Sequence, residues 1–265
     1  MDENQAISST GIAPLGVAVE VKNVTVTYRS YQERPSSLKE AVVRMVTKGQ
    51  FRHYQMFNAL SDLSLSITRG TVLGIVGSNG SGKSTLLKVI AQVLKPTSGK
   101  ATVSGRVSSL IELGVGFDPE LNAIENIFLN GSLHRKSRAE LRERVEPILE
   151  FAELKDFATT PIKYYSSGMA ARLGFSVAVD INPDILLVDE ILGVGDERFQ
   201  AKCQKVFHQF LNSSKTIVIV SHNIEMLESI ADRVALLSRG RLAYLGDPRT
   251  ATRLYRDRSY QTLLS

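Results

Sequence analysis

The sequence predicts an α/β protein in which a mostly parallel β-sheet is covered by helices. Short apolar, β-branched runs at residues 185–188, 216–220 and 234–237 alternate with longer stretches of helical pattern, which is typical of a parallel sheet with helical connections. Residues 121–154 have helical periodicity and few β-branched runs. They predict a helical unit inserted between two halves of the α/β core. A Gly-rich segment at residues 77–85 separates a strand pattern from a helix pattern and predicts a binding site.

The bulk composition indicates one large globular domain in a reducing compartment. A chain of 265 residues with 43% hydrophobic composition can bury a substantial core. The lone Cys203 excludes an internal disulfide and Cys-rich metal frameworks. The net charge of +5 fits anionic partners but is common among soluble proteins. No run approaches the roughly 18 apolar residues that cross a bilayer, so any membrane association is expected to be peripheral.

The first part of the chain predicts a tail, strands and one short helix. Residues 1–16 are polar and lack a secretory signal pattern, so we expect a flexible tail. Residues 17–28 cluster β-branched side chains and predict one or two strands, and residues 63–67 and 72–76 predict two more. Apolar residues at helical spacing over 37–47 predict an amphipathic helix, although a solvated surface face explains that pattern equally well.

Several helix ends can be predicted. The helix that opens in the Gly-rich segment is expected to continue to Leu94, because its apolar residues form one face and a proline and a glycine follow. Ser137 followed by Glu140 has the form of a capping box for the next helix. Helical patterns also cover residues 196–211 and 223–230.

The segment GSNGSGKST follows the strand at 72–76 and opens a helix, so it predicts a phosphate-binding loop. Its glycines let the backbone wrap phosphates with N–H groups, and the helix N-terminus adds partial positive charge. Lys83 is expected to reach the β and γ phosphates, and Ser84 to ligate Mg²⁺. The strand–loop–helix context argues against a plain surface turn. The predicted phosphate-binding residues are Gly77, Ser78, Asn79, Gly80, Ser81, Gly82, Lys83, Ser84 and Thr85.

An acidic pair follows the apolar run at 185–188. The carboxyl end of a buried strand is where ligands bind in open α/β sheets. Asp189 is expected to hold Mg²⁺, directly or through water, and Glu190 to position and polarise the attacking water. Two acids at a strand end are more often a solvated turn when they stand alone. Because they follow a phosphate-binding loop by about a hundred positions, the catalytic interpretation is favoured.

Between these two motifs stands YSSGM at 165–169, and after them stands SH at 221–222. The four motifs, in this order, resemble the nucleotide-binding subunit of an ABC transporter. The resemblance implies a P-loop NTPase core of the RecA-like type with an antiparallel β subdomain and an inserted α-helical subdomain, the ABC ATPase architecture. It implies an ABC nucleotide-binding domain over residues 17–246, with the helical subdomain at about 117–178. Residues 247–265 are then expected to form a C-terminal helical extension.

The same family has a signature motif, usually LSGGQ, that binds the γ-phosphate of ATP held by the opposite subunit. The matching stretch here is YSSGM at 165–169. The resemblance therefore implies that Ser166, Ser167 and Gly168 bind ATP. A hydroxyl and free N–H groups at a helix start form an anion site, although a plain Ser N-cap also explains the motif when it stands alone.

Four further positions take candidate roles from the resemblance. His222 follows the run at 216–220 and resembles the switch histidine at the γ-phosphate; it joins Glu190 and Lys83 as a candidate catalytic residue. Tyr28 falls where the family stacks an aromatic on adenine, and a core strand aromatic explains it equally well. Residues 193–196 fall at the D-loop that crosses the dimer interface, although a turn with an N-cap explains them almost as well. The family's Q-loop glutamine, which links the metal site to the membrane partner, has no match at its expected place. Glu112 is the nearest candidate and is a candidate metal ligand.

Several phrases resemble the branch of the family that exports polysaccharides, the carriers of O-antigen, capsule or teichoic acid. They are ELGVGF followed by PELNAIENI, YSSGM in place of LSGGQ, and VGDERFQAKC after the acidic pair. The resemblance implies ATP and Mg²⁺ as cofactors, a homodimer that sandwiches ATP, and two integral-membrane permease subunits in a two-plus-two complex. It also implies a lipid-linked glycan as cargo and a peripheral location at the cytoplasmic face of the cell inner membrane.

Other classes of protein share parts of this pattern. A soluble ABC ATPase acting in assembly or regulation shares every catalytic residue, so only partner behaviour separates the two. A P-loop kinase or GTPase is disfavoured by the signature segment, by His222 and by the lack of an NKxD motif. DNA-repair relatives need a long inserted coiled coil that this sequence lacks, and no nucleic-acid partner is expected.

Overall fold

The computed structural model describes residues 16–31, 54–110, 113–114, 116–134, 136–189 and 194–260. Within these ranges the chain forms two sheets and a set of helices, which confirms the α/β class. The strands are β1 (Val17–Tyr31), β2 (Tyr54–Thr68), β3 (Val72–Gly77), β4 (Ser98–Val103), β5 (Val107–Ser109), β6 (Ile185–Asp189), β7 (Thr216–Val220), β8 (Arg233–Ser238) and β9 (Arg241–Gly246). The α-helices are α1 (Lys83–Ile90), α2 (Ala123–Leu133), α3 (Arg138–Ala152), α4 (Ser167–Asp180), α5 (Glu197–Leu211), α6 (Ile224–Ile230) and α7 (Pro248–Arg256). The expected tail at 1–16 lies outside the described residues except for Gly16, and the expected helix at 37–47 lies outside them entirely.

The larger sheet has the strand order β5-β6-β7-β3-β8-β9. Its first five strands are parallel, and β9 runs antiparallel to β8. The residues of β3 and β7 are all buried, because a parallel sheet is covered on both faces, and such strands therefore read as unbroken apolar runs. The predicted strands at 185–188, 216–220 and 234–237 are confirmed to within one residue at each end. Parallel pairing also brings the carboxyl ends of β3, β6 and β7 to one edge.

The smaller sheet is antiparallel, with β1 between β2 and β4. Its inner face and the adjacent face of the larger sheet enclose one core cluster that also takes in the apolar side of α1. The predicted single or double strand at 17–28 is one strand. The predicted strand at 63–67 is the end of the much longer β2.

The helical unit consists of α2, α3 and α4, which pack around their own apolar cluster. The capping box predicted at Ser137 and Glu140 is confirmed at the start of α3, and a second box at Asn122 and Glu125 starts α2. Asp180, whose side chain is only 8% exposed, accepts a hydrogen bond from Arg144 Nε at 2.8 Å and lies 3.4 Å from Lys136 Nζ. These ion pairs hold the end of α4 to α3 and to the loop before it.

Helix α1 ends at Ile90, and the prediction that it continues to Leu94 is wrong. Gln92 adopts a left-handed conformation with φ of 61°. The amides of Gln92 and Val93 donate hydrogen bonds to the carbonyl oxygens of Val89 and Lys88, both at 3.1 Å. This is the Schellman pattern of helix termination. Glycine is the usual residue at its left-handed position, so a glutamine there gives the sequence no stop signal.

The end of the described chain forms α7, which packs against α6 and β8. Asp247 caps the helix by accepting a hydrogen bond from the Thr250 amide at 2.9 Å. Arg256 forms an ion pair with Glu225 of α6 at 2.6 Å. Across the described ranges of the chain, every helix is too short or too polar to cross a membrane.

Candidate active site

The loop between β3 and α1 is shaped by glycines. Gly80 has φ of 76°, in the left-handed region that favours glycine. Gly82 caps α1 with φ of 105°, and a Cβ atom there would lie 2.5 Å from the carbonyl oxygen of Ala59. A side chain at position 82 would therefore strain the backbone and collide with β2. The loop leaves its N–H groups and the start of α1 as a ready-made anion site.

The Lys83 side chain is buried and folded onto this loop. Its Nζ donates hydrogen bonds to the carbonyl oxygens of Gly77 at 2.9 Å and Ser78 at 3.1 Å. Burial lowers the pKa of Lys83, and the nearby Asp189 carboxylate acts in the opposite direction. The ammonium group is thus held at the loop, where a phosphate oxygen would give it a stronger, charge-assisted partner than a carbonyl.

Ser81 gives a second sign that the loop is built to receive a polar group. The residue is 2% exposed, and its Oγ finds no hydrogen-bond partner among the described residues. An unsatisfied buried hydroxyl costs about 1–3 kcal/mol. Its backbone is fixed, because its amide donates to the Ser78 carbonyl at 3.1 Å and its carbonyl accepts from Gly240 at 3.0 Å. The N–H groups of the loop, the Lys83 ammonium group and the unpaired Ser81 hydroxyl fit a bound phosphate.

Asp189 and His222 meet the loop at the carboxyl edge of the larger sheet. Asp189 ends β6 and pairs with Val220, the last residue of β7, and His222 follows two residues later. Burial raises the pKa of Asp189, while Lys83 and His222 pull it down. Lys83, Asp189 and His222 are distant in the sequence, yet they lie close enough to interact electrostatically.

The oxygen donors at this edge fit Mg²⁺. The ion prefers oxygen ligands and is usually held by one or two carboxylates together with phosphate oxygens of the substrate. Asp189 supplies a carboxylate, and Ser84 supplies an exposed hydroxyl in the first turn of α1. In the described part of the chain, no three His, Cys, Asp or Glu side chains are grouped to hold a metal by themselves. Glu112 and Glu190 lie outside the described residues.

The segment Ser166 to Gly168 forms the start of α4 and does not share a pocket with the phosphate-binding loop. Ser166 is the N-cap, and its Oγ accepts a hydrogen bond from the Met169 amide at 3.2 Å. Ser166 and Ser167 are exposed. They line a shallow depression together with residues 194–196, and none of the phosphate-binding loop contributes to it. The start of α4 is therefore exposed and accessible to an anionic group that is not bound in the phosphate-binding loop of the same chain.

Tyr28 belongs to an aromatic pair that sequence reasoning did not find. It is paired across β1 and β2 with Phe57, and the ring centroids lie 5.6 Å apart at an interplanar angle of 31°. Tyr28 packs partly against the core, whereas Phe57 is 52% exposed and the adjacent Met56 is 56% exposed. Tyr28 is thus both a strand aromatic and the base of an exposed apolar surface.

Comparison with known proteins gives consistent matches over nearly the whole chain. The family model for the ABC transporter matches residues 60–193. The O-antigen export system ATP-binding protein RfbB of Klebsiella pneumoniae is 43% identical over 238 residues, 90% of this chain and 97% of that protein. The teichoic acids export ATP-binding protein TagH of Shouchella clausii is 41% identical over 234 residues, 88% of this chain and 64% of that protein.

Solved structures give the same result. The dimeric post-hydrolysis structure of the ATP-binding cassette MJ0796 bound to ADP and Pi has a TM-score of 0.64 at 25% identity and covers 87% of this chain and 99% of that one. An ATP-binding subunit of an ABC transporter has a TM-score of 0.69, covers 94% of this chain and 100% of that one, and supports the fold alone at 21% identity. The chain therefore belongs to the ABC transporter family, among its ATP-binding subunits.

Proposed function

We propose that this protein is the ATP-hydrolysing subunit of an ABC transporter that exports a lipid-linked polysaccharide. The observation that carries the proposal is the convergence of the phosphate-binding loop, Asp189 and His222 at one sheet edge. The class of cargo follows from relatives named for the export of O-antigen and teichoic acids. Capsular polysaccharide is a third cargo of the same chemical kind.

The residues of the site act chiefly by positioning and by electrostatic stabilisation, which is how phosphoryl transfer is catalysed. The loop at residues 77–85 binds the triphosphate through its N–H groups, and Lys83 exchanges its two carbonyl acceptors for phosphate oxygens. Ser84 and Asp189 would hold Mg²⁺, and the ion would neutralise charge that develops on the phosphates. Glu190 orients the attacking water, and His222 contacts the γ-phosphate.

The composite site requires a second copy of the chain. The helix start at Ser166 to Gly168 is exposed and lies apart from the chain's own loop. It is proposed to bind the γ-phosphate held by a partner in a head-to-tail homodimer. The dimeric state of the solved MJ0796 cassette supports this arrangement.

We also propose a division of the chain into domains. Residues 17–246 form the nucleotide-binding domain, with a helical subdomain at about 117–178, and residues 247–265 form a C-terminal helical extension.

The dimer is proposed to sit on two integral-membrane permease subunits at the cytoplasmic face of the cell inner membrane. Binding of ATP would close the dimer and pull on the permease, and hydrolysis would reopen it. This arrangement is tested with the complex extracted mildly from membranes of the native host and reconstituted in vesicles. A lipid-linked glycan is expected to raise its ATPase rate, and the Lys83→Ala complex serves as the inactive control.

Two outcomes would contradict the transport proposal. The first is release of the protein from the membrane fraction without any permease. The second is a reconstituted ATPase rate that no lipid-linked glycan of the host changes. Either result would favour a soluble ABC ATPase that acts in assembly or regulation.

The Tyr28–Phe57 pair is proposed as the surface that receives adenine. Phe57→Ala is expected to raise the Kd for ATP about three- to tenfold, because an aromatic contact is worth about 0.5–1.5 kcal/mol. Its effect on the affinity for inorganic triphosphate should be negligible. Both affinities can be measured by calorimetric titration.

Phe157→Ala is the matched control, because Phe157 is a similarly exposed phenylalanine, 46% against 52%, in the helical unit. An unchanged Kd for ATP in Phe57→Ala, or an equal loss for triphosphate, would rule out an adenine contact.

A further inference from the structure

A cluster of charged side chains joins the helical unit to α5. Its centre is Glu153, which caps the C-terminus of α3 in a left-handed conformation with φ of 59°. One carboxylate oxygen lies 2.5 Å from Lys202 Nζ of α5, and the other lies 3.4 Å from an Arg172 nitrogen of α4. Arg198 of α5 approaches to 3.9 Å. Three cations from two helices thus share one carboxylate.

Arg172 extends this cluster to the chain segment that follows the acidic pair. It lies two turns after the Ser166 N-cap of α4. Its stem runs along Gly195, where an added Cβ atom would come within 3.3 Å of the Arg172 Cγ atom. Its guanidinium carbon lies 6.0 Å from the ring centroid of Phe199 in α5. The Arg172 side chain is only 18% exposed, so it bridges three elements from a largely enclosed position.

These contacts connect the two halves of the proposed composite site within one chain. Val194, five positions after Asp189, is buried in the apolar cluster that the larger sheet forms with α4 and α5. Asp196 then caps α5 through a 2.9 Å hydrogen bond from the Phe199 amide. Residues 194–196 are therefore anchored to the core at one side and meet Arg172 at the other. Because Val194 and Val188 of β6 belong to the same apolar cluster, a displacement of β6 would reach α4 through the contact of Gly195 with Arg172.

The charge balance explains why Glu153 matters to the contact. Without the carboxylate, the three cations would repel one another, and Arg172 would lose the one ion-pair acceptor that it has among the described residues. The hydrogen bond from Lys202 is the main cause that lowers the pKa of Glu153, so the carboxylate stays charged. Isolated exposed ion pairs contribute little to stability, whereas this cluster links α3, α4 and α5.

We infer that Glu153 and Arg172 are positioning residues that couple a chain's own nucleotide site to the grip of its Ser166–Gly168 segment on the nucleotide of a second copy. The inference rests on the proposed function, because it requires ATP to be shared between two chains. It places the coupling in α4 and residues 194–196. It assigns neither residue a contact with the nucleotide.

The test compares Glu153→Gln and Arg172→Gln, each made alone and in the Glu190→Gln background. In the Glu190→Gln background, the Kd of the ATP-bound dimer is expected to rise about tenfold. This change lies within the roughly 5- to 150-fold range of coupling between sites. In the otherwise native chain, kcat is expected to fall about tenfold with little change in KM. The affinity of the monomer for ADP, which reports the chain's own loop, should stay within about twofold. Arg172→Lys should recover part of the loss.

Arg144→Gln is the matched control. Arg144 forms a similar ion pair within the helical unit, with Asp180 as its partner, and does not line the depression at residues 194–196. It is expected to lower thermal stability without weakening ATP-dependent dimerisation. The same dimerisation constant in Arg172→Gln, Glu153→Gln and Arg144→Gln would overturn the inference. Should Arg172→Gln fail to fold, Glu153→Gln decides the question, since it keeps the side-chain volume.

The inference and the proposed function fail in distinguishable ways. If Glu190→Gln itself stays monomeric with ATP and Mg²⁺, the proposal of a shared-nucleotide dimer is wrong. The inferred coupling is then wrong as well. If Glu190→Gln dimerises and the Glu153 and Arg172 variants dimerise equally well, only the coupling is wrong.

Discussion

Replacing Glu190 by Gln is expected to stop ATP turnover while ATP binding is retained. The amide has nearly the same shape as the carboxylate but is not a base, and a positioned general base contributes about 10²- to 10⁴-fold. We therefore expect kcat to fall by about 100-fold or more. Because binding proceeds and hydrolysis does not, an ATP-bound dimer should accumulate. Phosphate release gives the rate, and light scattering after size-exclusion chromatography gives the mass.

The control for this variant is Glu197→Gln, which removes an exposed acid in the first turn of α5. Its phosphate release should match that of the native chain. Normal phosphate release by Glu190→Gln would remove Glu190 from the mechanism. A protein that stays strictly monomeric with ATP and Mg²⁺, even beside its permease, would contradict the shared site.

The central strands could be predicted from the sequence because their environment imposes a simple pattern. A parallel strand covered on both faces consists of consecutive apolar residues, as in β7. The strands β4, β5 and β9 were not predicted. They are partly exposed, and β4 begins with Ser98, Gly99 and Lys100. Tertiary pairing, rather than local preference, makes such segments extended.

The candidate site likewise contains a local motif and residues that only packing brings together. The phosphate-binding loop is a local motif, so its residues can be recognised one by one from the printed sequence. Phe57 could not be, because its pairing with Tyr28 depends on a β1–β2 register that is interrupted several times. Glu153 and Arg172 come together only when α3, α4 and α5 are packed. A charged residue at a helix end carries no sequence signal for such a distant partner.

Replacing Lys83 by Ala is expected to weaken nucleotide binding strongly and to abolish turnover. The ammonium group is buried and hydrogen-bonded to the carbonyl oxygens of Gly77 and Ser78. Without it, both oxygens would lose a charged donor, the Ser78 oxygen would keep only its hydrogen bond from the Ser81 amide, and both would repel the phosphates. Truncating one partner of a buried charge pair costs about 2–5 kcal/mol, so the Kd for ATP should rise about 30-fold or more. Calorimetric titration under conditions that prevent turnover measures the Kd.

Lys95→Ala separates this loss from a general loss of positive charge, because Lys95 is exposed beyond the end of α1. Its ATP affinity should equal that of the native chain. Lys83→Ala should also remain monomeric with ATP, whereas Glu190→Gln dimerises, since the first loses binding and the second loses only hydrolysis. If Lys83→Ala bound ATP within about twofold of the native chain, the triphosphate would not lie in this loop. Asp189 and His222, which are assigned through their proximity to Lys83, would then lose their roles as well.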